Sequence, residues 1–516
     1  MKRRRFTPTI CLFILFTLVI FLFPLAAKET PKKLNEKDFG KFITDVMNEW
    51  KVPGLAISIV RDNEVIYSRG FGFRDIKKGL KVTPNTLFAI GSCTKAFTAL
   101  AMGILVDEGK LDWDKPVRNY LPEFRLKDPF ASERMTPRDL VCHRSGLPRH
   151  DLVWYNSPAS REELVKRLAY LEPSKDFRTT FQYQNLMFMT AGYLVSRVAG
   201  KKWEDFVRER IFSPLGMKES NFSVEDSKKA PDYALPYYKA KNGQVIEIPF
   251  RNIDNVGPAG SINSNVTDMT RWLILNLNKG KYGEKQIISK RNLREIHSPQ
   301  MIASRTMRYD ELFYSTYGMG WGITAYRGHL MLSHGGGIDG FTARVSLMPK
   351  DNIGLVILTN LNGTPVPQIV AYNAFDRLLG LSQIPWNRRI KEEREKAENE
   401  AEKAKKEKEK ERKLNTRPSH PLEDYAGDYF HPGYGVLSIQ KKGEKLIASY
   451  NDMEFPMEHY HYDIFEIRNE QWDTTYKASF FTDERGNIGS VSVELEPAVD
   501  PILFTRMPEK KRHLQS

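Results

Sequence analysis

The feature that most limits the possible folds of this chain is an unbroken charged segment in its C-terminal third. Residues 388–413 are almost wholly Lys, Glu, Arg and Ala. Oppositely charged side chains four positions apart, such as Glu402 and Lys406, favour a helix. Such a helix has no apolar stripe, so it cannot pack as a core helix or a coiled coil. We therefore predict an exposed helical linker at residues 386–418 between two folded domains.

The segment before the linker has strand patterns at both ends and helical patterns between them. Residues 55–67 and 344–358 each predict a β-hairpin, and residues 366–379 predict a closing helix. We therefore expect residues 28–385 to form an α/β (α+β) domain. Its antiparallel sheet would be built from both ends of the segment and flanked by helices, with a helical region inserted.

The segment after the linker changes to short alternating runs separated by turns, for example at residues 437–440 and 446–450. This pattern predicts a small all-β barrel or sandwich at residues 419–508, followed by a basic tail at residues 509–516. Three potential metal ligands alternate on one predicted strand face there: His459, His461 and Asp463. We expect them to pack like aromatic residues, so the prediction includes no metal ion and no cofactor.

The best candidate for chemistry is a Ser-x-x-Lys motif, Ser92 with Lys95, which follows an apolar stretch and opens a predicted helix. Residues three apart lie on one helix face, so the ammonium can sit beside the hydroxyl. A partly buried lysine has a depressed pKa and can take the serine proton, and the helix start offers N–H groups to a developing anion. A second copy, Ser438 with Lys441, falls on a predicted strand, where positions three apart face opposite sides. It is therefore excluded.

Two further residues, Tyr183 and Asn185, stand at the start of a second predicted helix. A phenol beside an ammonium has a lowered pKa and is a candidate acceptor of the serine proton. Asn185 is a candidate to orient Lys95 and to hold a substrate amide. A competing Ser-x-Asn motif, Ser261 with Asn263, lies in a glycine-bounded loop, and the helical context favours Tyr183.

The third motif is a glycine-rich entry into a predicted strand, formed by His334, Gly335, Gly336 and Gly337. Glycines at such a place let a substrate lie against the strand edge. The Gly337 N–H is a candidate partner of the Ser92 N–H in an oxyanion hole.

In this order, the three motifs resemble the serine beta-lactamase-like hydrolases, which include class C beta-lactamases, D-aminopeptidases, penicillin-binding-protein-like carboxypeptidases and related esterases. The resemblance covers roughly residues 38–380, with supporting stretches at residues 139–148, 257–261 and 318–322. The C-terminal segment is similar to the lipocalin-like domain appended to some of these hydrolases, through residues 424–429, 431–435 and 459–463.

The resemblance implies a beta-lactamase/transpeptidase-like fold and a role for each candidate residue. Ser92 is implied as the acylating nucleophile, and Lys95 with Tyr183 as the proton-transfer pair. Which of the two is the base stays open. Asn185 is implied as a substrate contact, and His334 stands where many relatives have lysine.

His334 bears on the substrate, because histidine has an unperturbed pKa near ~6.5 and is mostly neutral at pH 7. It attracts a substrate carboxylate less than lysine does. We therefore expect weak or absent beta-lactam hydrolysis. Turnover of carboxylate-bearing substrates should improve as the pH falls through the pKa of His334.

The N-terminus predicts export. Residues 2–5 are basic, residues 10–23 are apolar apart from Thr17, and residues 25–27 form a cleavage site. Together they predict a secretory signal peptide at residues 1–27. The alternative is an uncleaved membrane anchor, but the apolar run is shorter than the ~20 residues that a spanning helix needs. We expect a secreted, periplasmic or cell-envelope protein.

The net charge of +14 falls by four to +10 without the basic residues of the signal peptide. The excess is spread out, with no arginine-rich patch interleaved with aromatic residues, so we predict no binding to nucleic acid. It favours a loose association with anionic envelope polymers or lipid headgroups. After export an oxidising compartment would permit a disulfide between Cys93 and Cys142. The position of Cys93 beside the nucleophile favours a packed, free thiol instead.

Together these features predict an exported serine hydrolase that forms an acyl-enzyme on amide or ester bonds of a small molecule or peptide. It would be a peptidase or esterase, with D-amino-acid peptides among the candidate substrates. The alternative is a catalytically weak binding or scaffold protein with this fold, and a true beta-lactamase is less expected. The sequence defines neither the leaving group, nor the stereochemistry, nor the oligomeric state, nor the role of the C-terminal domain.

Overall fold

The computed structural model describes residues 34–469 and 474–508. The predicted signal peptide at residues 1–27 and the predicted basic tail at residues 509–516 lie outside the described residues. Within the described ranges, no helix combines the length and the apolar character needed to cross a membrane.

The strands that precede the charged segment are, in chain order, β1 (Gly54–Arg61), β2 (Glu64–Asp75), β3 (Leu80–Lys81), β4 (Phe88–Ala89), β5 (Tyr237–Lys239), β6 (Val245–Glu247), β7 (Asn263–Ser264), β8 (Lys281–Tyr282), β9 (Lys285–Gln286), β10 (Met301–Ile302), β11 (Thr316–Tyr317), β12 (Gly322–Tyr326), β13 (His329–Ile338), β14 (Phe341–Met348) and β15 (Ile353–Thr359).

The α-helices are α1 (Glu36–Trp50), α2 (Thr94–Asp107), α3 (Pro129–Arg134), α4 (Pro137–Leu140), α5 (Arg161–Arg167), α6 (Asn185–Ala199), α7 (Trp203–Val207), α8 (Ser213–Leu215), α9 (Val224–Lys229), α10 (Val266–Leu277), α11 (Lys290–Ile296), α12 (Val366–Leu378), α13 (Trp386–Lys410) and α14 (Leu422–Tyr425).

One antiparallel sheet organises the N-terminal domain. In the part of the chain that is described, its nine strands lie in the order β10-β11-β12-β13-β14-β15-β1-β2-β3. The two ends of the domain meet at its centre, because β1 pairs with both β2 and β15 and Ile57 lies opposite Ile357. The predicted sheet built from both ends is therefore confirmed, together with its two hairpins and the closing helix α12.

Apolar cores lie on both faces of this sheet. On one face, α1 and α12 bury side chains such as Phe39 and Phe375 against the sheet. On the other face, α2, α6 and α10 pack over the sheet, and α2 is buried continuously from Thr94 to Leu105. The first turns of α2 are therefore fixed by packing in the hydrophobic core.

The charged segment forms α13, and its start is anchored to the N-terminal domain. Trp386 and Ile390 are buried, and the Trp386 ring lies 4.9 Å from the Tyr372 ring of α12. From Arg394 to the end of α13 every residue is exposed. The exposed part therefore begins two turns into the helix, because these two apolar side chains dock its first turns.

The strands after α13 are β16 (Gly427–His431), β17 (Gly435–Lys442), β18 (Lys445–Tyr450), β19 (Met453–His461), β20 (Ile464–Asn469), β21 (Thr474–Thr482), β22 (Ile488–Val493) and β23 (Ile502–Arg506). Within the described residues these strands close into an antiparallel barrel. Of the two predicted all-β architectures, the barrel is therefore correct.

The predicted common strand face of His459, His461 and Asp463 is wrong. A β-bulge shifts the register between the two histidines, and Asp463 lies in the turn after β19. The Asp463 carboxylate accepts hydrogen bonds from the Ser419 N–H and the Tyr425 hydroxyl. These contacts tie the chain that leaves α13 to the barrel.

Candidate active site

Ser92 lies in a 3₁₀ turn, Gly91–Cys93, that leads directly into α2. Gly91 has a φ of +50°, and a Cβ added to it would lie 2.7 Å from the Gly337 nitrogen. A Cβ on Gly336 would approach the carbonyl oxygen that precedes Gly91 to 1.9 Å. The glycines therefore let the turn that carries Ser92 lie directly against β13.

Lys95 extends from the first turn of α2 back to Ser92. Its Nζ lies 3.0 Å from Ser92 Oγ and donates to Asn185 Oδ1 and to the Ala259 carbonyl oxygen, both at 2.8 Å. The side chain is completely buried. Burial, helped by the positive charge of Arg149, holds the pKa of Lys95 well below its ordinary value. A buried amine with this pKa is suited to accept a proton from Ser92.

Tyr183 completes the contacts of the nucleophile. Its side chain is hydrogen-bonded to Ser92, and the centre of its ring lies 4.9 Å from Lys95 Nζ. The sequence predicted that the neighbouring ammonium lowers the pKa of this phenol. The structure shows the opposite, because burial raises the pKa of Tyr183. The phenol therefore stays protonated and is able to donate a hydrogen bond.

Sequence analysis missed a carboxylate behind Asn185. Asp151 accepts a hydrogen bond from the Asn185 amide nitrogen at 2.9 Å and another from Arg149 Nε at 2.6 Å. The Arg149 guanidinium is 53% exposed and lies 5.1 Å from the centre of the Tyr183 ring. Arg149 lies in a loop and Asp151 begins a 3₁₀ turn, Asp151–Val153, which is too short for a periodic pattern to single it out.

His334 is buried beneath the glycine strand rather than directed at solvent. Its Nδ1 donates to the Gly335 carbonyl oxygen at 2.6 Å, and its Nε2 accepts from the Tyr317 hydroxyl at 2.9 Å. Burial, with a contribution from the charge of Lys95, lowers the pKa of His334 to about 3. His334 is therefore neutral near pH 7.

The other candidates lie apart from this cluster or lack reactivity. Asn263 donates to Asn221 Oδ1 and to the Ser223 carbonyl oxygen, so Lys95 takes its amide partner from Asn185 instead. Cys93 and Cys142 are buried free thiols, and burial raises the pKa of each to about 12. Neither thiol is therefore a nucleophile at neutral pH.

The loop that carries Asp151 is held by the C-terminal barrel. His150, the preceding residue, has a left-handed backbone with a φ of 46°. The Tyr434 hydroxyl donates to His150 Nδ1 at 2.7 Å, and the Glu496 carboxylate accepts from the His150 N–H at 2.8 Å. Asn451 donates to the Leu152 carbonyl oxygen at 2.6 Å. Since a left-handed non-glycine residue persists only where its surroundings support it, the barrel helps to shape this side of the cluster.

Comparison with known protein families accounts for both domains. Residues 39–378 match the family model described as Beta-lactamase, and residues 411–506 match one described as Domain of unknown function (DUF3471). Among relatives, the protein named "Unguisins hydrolase ungD'" from Aspergillus campestris is 30% identical over 447 residues, which are 82% of this chain and 81% of that protein.

Solved structures resemble the chain over one or both domains. A penicillin-binding protein homologue from Pyrococcus abyssi gives a TM-score of 0.61 at 24% identity, over 92% of this chain and 100% of that one. D-amino acid amidase from Ochrobactrum anthropi SV3 gives 0.54 at 22% identity, over 66% of this chain and 98% of that one. At these identities the comparison shows a shared fold, which is the one that the sequence predicts.

Proposed function

Because the chain belongs to the beta-lactamase family, we propose that it is a serine hydrolase that cleaves amide or ester bonds through an acyl-enzyme on Ser92. The observation that carries this proposal is the 3.0 Å contact between Ser92 Oγ and a completely buried Lys95 Nζ. The similarity to a relative named as a hydrolase supports it. The shared fold with a D-amino acid amidase makes amides of D-amino acids reasonable first substrates.

In the first step Lys95 acts as the base. A neutral amine has two N–H groups and one lone pair, and the Asn185 and Ala259 oxygens accept from the N–H groups. The lone pair is then directed at the third neighbour, Ser92 Oγ. The serine proton moves to Nζ while Oγ forms a bond to the substrate carbonyl carbon.

The carbonyl oxygen becomes an oxyanion at this step. The N–H groups of Ser92 and Gly337 are the proposed donors, since the Gly337 nitrogen lies against the turn that carries Ser92. The amino terminus of α2 adds its dipole at the same place. Collapse of the oxyanion then breaks the bond to the leaving group.

The leaving group must take up the proton now held by Lys95. Tyr183 is the proposed relay, because its protonated hydroxyl contacts Ser92 and its raised pKa disfavours a phenolate. In the second half-reaction a water molecule attacks the acyl carbon and loses its proton to Lys95. The acid is released and Ser92 regains its proton.

The charges of the site favour substrates without a carboxylate beside the scissile bond. His334 is neutral, and the nearby cation Arg149 is already paired with Asp151. The proposed substrates are therefore neutral amides or esters, and beta-lactams are expected to be poor ones.

A fluorophosphonate probe tests the proposed nucleophile directly. The full-length protein should be labelled, Ser92→Ala should not, and the neighbouring Cys93→Ala should be labelled like the wild type. Absence of labelling in a folded wild-type protein would overturn the proposal and favour a binding or scaffold role.

We further propose that the protein acts outside the cytoplasm. Support comes from the basic residues 2–5 and the apolar residues 10–23. The mature exported protein should begin at Lys28. An intact N-terminus that remains with the membrane fraction would show the uncleaved anchor instead.

A further inference from the structure

A cavity of about 310 Å³ lies where the barrel meets the N-terminal domain. This volume is at the lower end of the ~300–1,000 Å³ that is typical of small-molecule pockets. The N-terminal domain contributes Leu152, Tyr155 and Asp339 to its wall. Apolar barrel side chains supply much of the rest, among them Leu437, Ala448, Phe455, Ile467, Val493 and Leu495.

The cavity follows from the inward-facing residues of the barrel. Along β18 the buried positions are Leu446, Ala448 and Tyr450, so a single methyl group stands between two large side chains. An eight-stranded barrel is wide enough to hold one small ligand where its interior is not filled by side chains. The Tyr450 hydroxyl is satisfied by backbone carbonyl groups at Tyr434 and Leu152. It therefore does not need a polar ligand.

Two chain segments that carry active-site residues also contribute to the wall of this cavity. On one side, Leu152 directly follows Asp151, which holds Asn185. On the other side, Asp339 lies in the turn after β13, two residues after Gly337, which lies beside the Ser92 turn. The Tyr155 hydroxyl donates to Asp339 Oδ2 at 2.5 Å and joins the two segments at the cavity.

We propose that the cavity binds an uncharged aliphatic chain of the substrate, at a distance from the bond that is cleaved. This inference rests on the proposed hydrolase function and gives it a substrate class: amides or esters that carry a medium-length alkyl or acyl chain. It also gives the C-terminal domain a role as part of the substrate site.

The charges around the cavity exclude an ionic occupant. Asp339 is the charged side chain among the described lining residues, and Arg251 donates to it at 2.8 Å in addition to Tyr155. A second ion buried among the apolar side chains would find no partner, at a large desolvation cost. An apolar chain is favoured by the same surroundings, and its binding affinity should increase about fourfold for each methylene that it buries.

Two series of neutral substrates test the inference on the full-length enzyme. In the first series, p-nitrophenyl esters carry acyl chains of increasing length, from acetate to laurate. In the second series, acetyl esters carry alkyl chains of increasing length on the leaving group. In one of them kcat/KM should rise by about fourfold per methylene and then level off when the cavity is full. Two flat series, with the acetate still hydrolysed, would overturn the cavity inference and leave the hydrolase proposal standing.

Matched variants locate the effect. Ala448→Phe fills the cavity and should remove the gain from long chains, so that kcat/KM no longer rises with chain length. Ser449→Phe, on the neighbouring outward position, should keep the gain. Leu437→Ala enlarges the cavity and should move the plateau to a longer chain, which keeps the test valid if Ala448→Phe does not fold.

Direct binding separates a substrate subsite from an independent ligand pocket. The Ser92→Ala protein should bind the uncharged fluorophore N-phenyl-1-naphthylamine, and decanol should displace it. Binding of the fluorophore combined with flat substrate series would overturn the subsite assignment. Failure of Ser92 labelling would instead overturn the proposed function, and the subsite with it.

Discussion

Asp151 accepts a hydrogen bond from the side-chain amide of Asn185 at 2.9 Å and so leaves the amide oxygen facing Lys95, 2.8 Å from Nζ. The same carboxylate is paired with Arg149. Two opposite charges therefore act on one buried lysine: Arg149 lowers the pKa of Lys95 and Asp151 raises it. Removal of the Arg149 charge and removal of the Asp151 charge should therefore shift the pKa of Lys95 in opposite directions.

The first prediction uses this opposition. If Lys95 is the base, the acid limb of the pH profile of kcat/KM follows its deprotonation. Asp151→Asn should move that limb to lower pH, and Arg149→Gln should move it to higher pH, each by up to about one unit. Steady-state kinetics on a neutral ester between pH 5 and 10 would measure both. Shifts in the same direction would exclude Lys95 as the titrating group.

A second prediction concerns stability. The pKa of Lys95 is lower in the folded protein than the ~10.4 of an unfolded chain. At a pH between the pKa of the folded protein and that of the unfolded chain, the unfolded state therefore binds more protons. The free energy of unfolding of the wild type should therefore rise with pH in this window, by about 1.4 kcal/mol per pH unit more than that of Lys95→Met. Urea unfolding of both proteins across the window measures the difference. Parallel curves would mean that Lys95 is protonated in the folded protein.

The third prediction replaces the pH dependence expected from the sequence for His334. Since its pKa is about 3, no titration of His334 should appear between pH 5 and 8. The ratio of kcat/KM for a carboxylate-bearing ester to that for its neutral methyl ester should stay constant over this range. A chromogenic cephalosporin should be hydrolysed poorly throughout. A ratio that increases toward low pH with a midpoint near ~6.5 would show an accessible histidine.

Much of the fold of both domains was predictable because it depends on local periodicity. The hairpin β1–β2, the helix α12 and the alternating strands of the barrel all carry short-range patterns. Ser92 and Lys95 were recognisable for the same reason, since three residues of helix bring them together. The roles of these residues and the exact bounds of the domains stay predictions.

What sequence reasoning missed depends on long-range packing. Asp151 begins a single 3₁₀ turn and Arg149 lies in the loop before it, and only the folded chain brings them to Asn185. The direction of the Tyr183 pKa shift was wrong because burial outweighs the neighbouring charge, and burial cannot be read from spacing. The depth of His334 was missed for the same reason. The cavity depends on Ala448 standing between two larger residues inside a closed barrel.

The fourth prediction tests the support that the barrel gives to the site. Tyr434→Phe removes the hydroxyl that donates to His150 Nδ1, which should cost about 1 kcal/mol in the free energy of unfolding. It should also lower kcat/KM several-fold, because the loop that carries Asp151 loses a support. Denaturant unfolding and ester kinetics check the two effects. Tyr462→Phe, on an exposed turn, is the control and should change neither.

The fifth prediction concerns α13. Limited trypsin treatment should first cut between Lys396 and Lys410, where the helix is exposed, and should spare its first two turns. Mass spectrometry of the early fragments identifies the cut. A first cut at Arg388 or Arg389 would show that Trp386 and Ile390 do not hold the start of the helix.

The left-handed His150 restricts how the two domains can change in sequence during evolution. Two of its hydrogen bonds are made with the other domain, so a change in the barrel also affects the loop. A substitution at Tyr434 or Glu496 would select for a compensating change at His150. An exchange of barrels between relatives by recombination within residues 394–410 would separate these partners, even though the crossover itself falls in the exposed part of α13. Chimeric proteins would then need the loop at residues 149–155 to travel with the barrel that it contacts.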